Sequence, residues 1–339
     1  MPKAARRMPE PFLDEMEVKA LEAKKAQRKE AVLRAAGGVE LFCVKDLAGS
    51  PRAAVIIAHG LAEHHGRYDY FAGALNGFGF SVYRYDQRGH GKSGGERSFL
   101  PAYDLLFEDA KVVVEYARGE NPGVPVFLFG HSMGALAGVG FCIKYSEMVN
   151  GAVLSGTLCA DSNGQLKNIP PGLDPLIKIP NGFAGLLCND PQVGKAYAED
   201  PLVIKEIAAG TFLELKKAVE WFNSDGNLQK ITCPVLILHG GGDLIVSPED
   251  SRHLYASVSS RDREIRIYEG LYHEILNEKT RDEIIAGICA WIEKRLSSKA
   301  VPGNLEKLAR GEDYRGEKIC SGPGPGHDQL PGHPLRQRG

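Results

Sequence analysis

The chain has 339 residues, of which 43% are hydrophobic and 25% charged, and its formal net charge is −2. These values are ordinary for a soluble globular protein and give no indication of a nucleic-acid partner. No apolar run is long enough to span a membrane, and the N-terminus lacks the apolar segment of a secretory signal. Because the seven cysteines form no CxxC pair or even framework, we expect reduced thiols in a cytoplasmic protein.

The two ends of the chain differ in composition from its middle. Residues 1–30 are rich in charged side chains and predict an exposed helix, over about residues 14–29, or a disordered extension. Residues 298–339 are dense in glycine, proline, histidine and arginine, which predicts a largely disordered tail. Between the ends we expect one α/β core, split by an insertion into parts 31–156 and 229–297.

The core begins with two short segments on either side of Gly37 and Gly38, which predict a hairpin over residues 31–34 and 39–44. Short apolar runs and helical stretches then alternate, as is typical of a mostly parallel sheet flanked by helices. The predicted strands are 53–58, 81–85, 126–129, 152–154, 235–238 and 265–268, and the predicted helices are 68–75, 103–116, 134–145, 248–255 and 281–296.

One gap interrupts this alternation. After the strand at 152–154, eighty residues pass before the next strand, at 235–238, far more than a connection in such a sheet requires. We therefore predict an inserted cap over residues 157–228, with a helix over 211–222. Its first half has apolar residues among prolines and glycines, and such an insertion could cover an active site: Ile169, Leu173, Leu176, Ile177, Ile179, Phe183, Leu186 and Leu187.

The strongest chemical signal is the sequence Gly-His-Ser-Met-Gly around Ser132, placed between the strand 126–129 and the following helix. A sharp strand-to-helix turn holds such a serine in a strained conformation, and its flanking glycines allow close approach of neighbouring backbone. This context predicts that Ser132 is a nucleophile in an α/β-hydrolase fold. An ordinary glycine-rich turn is the alternative.

A serine hydroxyl needs a base to accept its proton and an acid to orient that base. In this fold the acid follows a late strand and the histidine follows the last one. Asp243 and His273 occupy those places. Asp250, Asp262 and His253 are rivals, but they lie within or beyond a predicted helix.

The oxyanion of the reaction also needs hydrogen-bond donors. The backbone N–H groups of Leu61, in the loop after the strand 53–58, and of Met133 are the expected pair. The segment 86–93 lacks the spacing of a phosphate-binding loop, so we interpret Asp86 and Arg88 as structural. No cluster has convincing metal-ligand spacing, and the mechanism needs no cofactor.

Several segments together resemble the monoacylglycerol lipase and lysophospholipase group of S33-like α/β-hydrolases. They are His59-Gly60, residues 63–68 and 86–93, the Ser132 motif, residues 200–202 and residues 268–273. The resemblance implies hydrolysis of single-chain lipid esters, with polar recognition by Glu63, Arg67 and Tyr197. It also implies a cap that admits the acyl chain and can touch a membrane, although residues 157–196 depart from the family pattern.

The expected activity is therefore a carboxylic ester hydrolase that forms an acyl-enzyme on Ser132 and acts on a monoacylglycerol or a lysophospholipid. A short-chain carboxylesterase, a thioesterase and a cofactor-free perhydrolase of the same fold are alternatives. A non-catalytic binder of a hydrophobic ligand is a further alternative from a different class.

Overall fold

A computed structural model describes residues 27–296 of the chain. Its centre is an eight-stranded sheet in the order β1-β2-β4-β3-β5-β6-β9-β10. The strands are β1 (Gln27–Arg34), β2 (Glu40–Leu47), β3 (Ala53–Ala58), β4 (Phe80–Tyr85), β5 (Val126–His131), β6 (Gly151–Ser155), β9 (Val235–Gly240) and β10 (Arg263–Tyr268). From β4 to β10 all neighbours are parallel, whereas β1 and β2 form an antiparallel edge. All six predicted parallel strands are present.

Helices cover both faces of this sheet, which is why β3, β5 and β6 are buried along their whole length. The helices are α1 (Asp69–Gly77), α2 (Leu105–Glu120), α3 (Met133–Tyr145), α6 (Pro248–Ser257) and α7 (Arg281–Leu296). One face of the sheet packs against α2 and α3, where Phe107 and Phe141 lie in the core. The other face packs against α1 and α7, where Phe71 and Trp291 are buried.

The hairpin is longer than its apolar pattern predicted. Strand β1 begins at Gln27, so residues 27–30 belong to the sheet and not to the predicted helical or disordered extension. These four residues are exposed and have no apolar alternation, so the pattern gave no strand signal there. Pairing with β2 holds them, and Arg28 donates to Asp46 across the two strands at 2.7 Å. Residues 1–26 and the predicted tail lie outside the described residues.

The segment between β6 and β9, for which the sequence predicts a cap, has secondary structure of its own. The helix predicted over 211–222 is α5 (Ala209–Phe222), but the sequence did not predict α4 (Pro191–Glu199) or the small antiparallel sheet of β7 (Lys178–Pro180) and β8 (Glu206–Ala208). Backbone hydrogen bonds join the cap to the core: the N–H of Ile204 donates to the Ala62 carbonyl oxygen at 2.9 Å. The cap is therefore fixed beside the loop that follows β3.

Two further expectations concern the whole chain. Six cysteines within the described range are buried free thiols, as predicted for them: Cys43, Cys142, Cys159, Cys188, Cys233 and Cys289. Within residues 27–296, no helix is both long enough and apolar enough to cross a membrane.

Candidate active site

Ser132 lies at the turn between β5 and α3, as its motif predicted. Its backbone has φ 53° and ψ −118°, a conformation that costs a residue with a side chain on the order of 1–3 kcal/mol. The surrounding packing enforces this turn, because a Cβ at Gly130 or Gly134 would collide with neighbouring carbonyl oxygens. The Ser132 N–H donates to the Ser155 carbonyl oxygen at 2.9 Å. The serine is thereby held at the wall of a cavity beneath the cap.

Asp243 and His273 meet because they follow β9 and β10, which are parallel neighbours in the sheet. His273 Nδ1 lies 2.6 Å from Asp243 Oδ2, and both side chains are buried. The other carboxylate oxygen, Oδ1, accepts from the backbone N–H groups of Ile245 at 2.8 Å and Val246 at 3.0 Å. His273 lines the same cavity as Ser132, so the structure brings all three predicted residues to one site.

Asp243 and His273 each stabilise the charged form of the other. Burial alone would raise the pKa of Asp243, but His273 and His239 hold the pKa well below its ordinary value. Burial lowers the pKa of His273, but the Asp243 carboxylate, with Glu274 and Glu63, raises it, so that the net direction is upward. Asp243 therefore remains an anion that can stabilise a protonated His273.

His239 is a second histidine on the same carboxylate and was not predicted. Its Nε2 lies 3.0 Å from both Asp243 Oδ2 and the Val246 carbonyl oxygen, and its Nδ1 lies 2.7 Å from Ser251 Oγ. Since both neighbours of Nε2 are acceptors, that nitrogen carries the proton and donates to Asp243. The carboxylate is consequently oriented by four donors.

The predicted oxyanion donors also lie at the cavity wall. Met133 is the first residue of α3, so its N–H has no partner within the helix. Leu61 lies in the loop after β3, where a Cβ at Gly60 would come within 3.2 Å of Ser132 Cβ. Leu61 and Met133 both line the cavity together with Ser132. The two predicted donor residues are therefore close to Ser132 at the cavity wall.

Glu63 and Tyr197 line one end of the cavity, whereas Arg67 contacts both of them without lining it. Arg67 Nη1 donates to Glu63 Oε2 at 2.7 Å, and the guanidinium lies 4.8 Å from the centre of the Tyr197 ring. The sequence did not predict the fourth member, Glu274, which lines the cavity and binds Arg67 through both oxygens, one of them at 2.7 Å from Nη2. Burial raises the pKa of Glu63, but Arg67 and its other neighbours lower it to about 2. This end of the cavity thus presents two buried carboxylates, both bound to one arginine outside the lining.

Apolar side chains form most of the remaining lining of the cavity, which has a volume of about 250 Å³. Most of them come from the cap, and Ile245 and Val246 come from the loop after Asp243. The cap contributes nine apolar residues, Leu158, Leu166, Ile169, Leu173, Ile179, Phe183, Leu187, Phe212 and Leu215, and three polar ones, Asp161, Asn163 and Gln165. A site with one polar end, a serine and a mostly apolar remainder fits an amphipathic ester with a single chain.

The rival candidates have other partners. Asp262 binds Arg295 Nε at 2.9 Å, and His253 Nε2 lies 2.7 Å from Asn223 Oδ1. The Asp250 carboxylate accepts from backbone N–H groups of residues 159–162. None of these three side chains lines the cavity.

The segment 86–93 is structural, as interpreted from its spacing. The Asp86 carboxylate accepts from the His65 N–H at 2.7 Å, and Arg88 binds Asp109 with two contacts of 2.6 Å. His64, His65 and Asp86 have nitrogen and oxygen atoms within 4.8 Å of one another, a proximity that could suit a metal. Each already has a hydrogen-bond partner, His64 with Asp200 and His65 with Asp86, so we assign no metal to them.

The family model described as "Serine aminopeptidase, S33" matches residues 49–280 of this chain. The chain belongs to the serine aminopeptidase S33 family. Within that family, it is 32% identical over 277 residues to a monoacylglycerol lipase of Mycolicibacterium smegmatis, covering 79% of this chain and 98% of the relative. It is 29% identical to the human monoglyceride lipase, covering 78% of this chain and 90% of the relative.

A solved structure has the same fold as this chain. The crystal structure of Paleococcus ferrophilus monoacylglycerol lipase superposes with a TM-score of 0.67 at 30% identity, over 76% of this chain and 99% of that one. The resemblance recognised in the sequence and the predicted α/β-hydrolase fold are both confirmed.

Proposed function

We propose that this protein is a carboxylic ester hydrolase that cleaves monoacylglycerols through a Ser132 acyl-enzyme. His273 takes the proton of Ser132, Asp243 stabilises the resulting imidazolium, and the N–H groups of Leu61 and Met133 bind the oxyanion. The protonated His273 then gives its proton to the leaving glycerol oxygen. Water, deprotonated by His273, hydrolyses the acyl-enzyme, which releases the fatty acid and restores Ser132. The observation that carries the proposal is the cavity that joins Ser132 and His273 to an apolar cap on one side and to Glu63 and Glu274 on the other.

The polar end favours a neutral headgroup over a charged one. Arg67 lies between Glu63 and Glu274, and three contacts to their oxygens occupy its Nη atoms. The two carboxylates outnumber the single arginine, so an anionic phosphate would meet net negative charge, whereas glycerol hydroxyls can donate to glutamate oxygens. We therefore propose that a monoacylglycerol is preferred over a lysophospholipid.

The pairing of Arg67 with Glu63 and Glu274 also argues against an aminopeptidase activity, although the family is described as serine aminopeptidase. An aminopeptidase holds the substrate ammonium with a carboxylate near the scissile bond. Here Glu63 and Glu274, the glutamates that line the cavity, are both bound to Arg67. A cationic amine would have to compete with that internal arginine.

A panel of substrates tests the proposal. We expect monododecanoylglycerol to be hydrolysed with a kcat/KM at least about tenfold above that of lysophosphatidylglycerol, an anion, with the same dodecanoyl chain, a difference of about 1.4 kcal/mol. Nitrophenyl acetate should be a poorer substrate, and an aminoacyl nitroanilide should not be cleaved. Activity confined to nitrophenyl acetate would leave the short-chain esterase alternative, and faster cleavage of the lysophospholipid would overturn the headgroup assignment.

We also propose that the cap contacts membrane surfaces. Leu176 and Ile177 are 65% and 46% exposed, and they lie between Leu173 and Ile179, which line the cavity. Leu244, 60% exposed, adjoins the cavity residue Ile245. Exposed apolar side chains close to the acyl site would place it against the lipid that supplies the substrate.

Vesicle sedimentation tests this contact. Replacing Leu176 and Ile177 together by serine should weaken binding to phosphatidylcholine vesicles by about tenfold or more, since each side chain contributes about 1.5–3 kcal/mol when buried in lipid. Hydrolysis of soluble nitrophenyl acetate should not change. Val32→Ser, which replaces an exposed residue of the β1 hairpin, is the matched control. Equal vesicle binding by the double variant and the wild type would contradict the proposal.

A further inference from the structure

Asp250 is fully buried in the first turn of α6 and accepts hydrogen bonds from four successive backbone N–H groups. Its Oδ2 lies 2.9 Å from the nitrogen of Cys159, 2.8 Å from that of Ala160 and 2.9 Å from that of Asp161. Its Oδ1 lies 2.8 Å from the nitrogen of Ser162. One side chain of the core therefore holds the start of the cap.

The backbone of residues 159–162 is shaped around this carboxylate. Asp161 has φ 53°, outside the usual range for a residue with a side chain, and this turn lets consecutive N–H groups converge. Such a concave array of N–H groups is a binding site for an anion, and Asp250 fills it from within the protein. Without that carboxylate, the four N–H groups would need other hydrogen-bond acceptors. This conformation of residues 159–162 would then no longer be stabilised.

The segment held in this way forms one wall of the acyl cavity. Leu158, Asp161 and Leu166 all line it. The Asp161 carboxylate in turn accepts from the N–H of Leu166 at 3.0 Å and from that of Lys167 at 2.9 Å. The position of the wall thus depends on two carboxylates in series, of which Asp250 is the one anchored to the core.

The neighbouring residue on α6, Ser251, is linked to the catalytic acid Asp243 through His239. Ser251 Oγ lies 2.7 Å from His239 Nδ1, and His239 contacts Asp243. Adjacent residues of one helical turn therefore reach the cap wall and the catalytic acid separately. A substitution of Asp250 that displaces the cavity wall should change activity by an amount that depends on the length of the acyl chain. A substitution that disturbs Asp243 should change activity equally for all acyl chains.

We propose that Asp250 is a positioning residue that sets acyl-chain selectivity by fixing residues 159–162 against the core. The inference rests on the proposed ester hydrolysis. It adds which part of the cap discriminates between acyl chains of different length. Asp250 does not line the cavity and reaches the substrate only through the wall that it holds.

The test compares nitrophenyl acetate with nitrophenyl dodecanoate in Asp250→Ala and Asp250→Asn. Loss of the carboxylate in Asp250→Ala should lower kcat/KM for the dodecanoate by about tenfold or more, mainly through a higher KM. The kcat/KM for the acetate should change by no more than about twofold. Asp250→Asn keeps the shape and one acceptor oxygen, so the loss should be smaller, about threefold. Glu249→Gln is the matched control: this neighbouring carboxylate is exposed and binds Arg252.

Each outcome is decisive. Wild-type kcat/KM for both substrates would overturn the proposal. An equal loss of kcat/KM for both would also overturn it, because it would mean that Asp250 acts on Asp243 through Ser251 and His239. If Asp250→Ala does not fold, Asp250→Asn provides the measurement. Failure of the proposed function gives a different result, because the wild type itself would then hydrolyse the acetate but not the dodecanoate.

Discussion

Ser132→Ala should lower kcat for monoacylglycerol hydrolysis by about four to six orders of magnitude, the range found when the nucleophile of a serine triad is removed. The cavity, the oxyanion N–H groups and the Asp243–His273 pair would remain, because alanine occupies less space than serine at the same turn. KM should therefore change little. Steady-state hydrolysis with purified protein, together with loss of labelling by a fluorophosphonate, measures both effects.

The control for this variant is another serine away from the cavity. Ser260→Ala removes a hydroxyl that donates to the Asp262 carbonyl oxygen at 3.2 Å, and it should retain activity within about twofold. A fluorophosphonate that still labels Ser132→Ala would mean that a different nucleophile carries the reaction. Wild-type protein that neither turns over esters nor reacts with the probe would favour the non-catalytic binder.

The residues that could be predicted from the sequence are those with local signals. Ser132 stands in a glycine motif between an apolar run and a helix of small residues, so strand, turn and helix could be recognised within about twenty residues. Asp243 and His273 have no such motif. They follow from the order of strands alone, since parallel strands bring their carboxyl ends to one edge of the sheet.

The residues that could not be predicted depend on contacts between distant segments. Glu274 binds Arg67, 207 positions away, and nothing near residue 274 indicates that partner. In the sequence, Asp250 was only a rival acid within a predicted helix, and nothing near it indicated that its carboxylate binds the backbone of residues 159–162. In the cap, the three-residue strands β7 and β8 are too short for a periodic pattern.

Asp243→Asn should lower kcat/KM by about four orders of magnitude, and the hydrogen bonds around this residue explain why. The N–H groups of Ile245 and Val246 require an acceptor at the position of Oδ1, so the asparagine oxygen will be held there. Its NH₂ group must then face His273 and donate to Nδ1. That places the histidine proton on Nε2, where the ring can no longer accept the proton of Ser132.

The pH profile of Asp243→Asn provides an independent signature of the same role. In the wild type, His273 must be neutral to act as a base, so kcat/KM should fall as the pH drops through the His273 pKa, which Asp243 holds above its ordinary value. In the variant the carboxylate is gone while burial, which lowers that pKa, remains. The midpoint of the acid limb should therefore move to lower pH, in addition to the loss in rate.

The matched control for this variant is Asp262→Asn, at the rival acid paired with Arg295, which should leave both the rate and the midpoint unchanged. Activity of Asp243→Asn within about tenfold of the wild type, or an unmoved midpoint, would remove Asp243 from the mechanism. His239→Gln would then show whether the network acts through its second histidine. A pH profile that shifts only in that variant would transfer the orienting role from the carboxylate to His239.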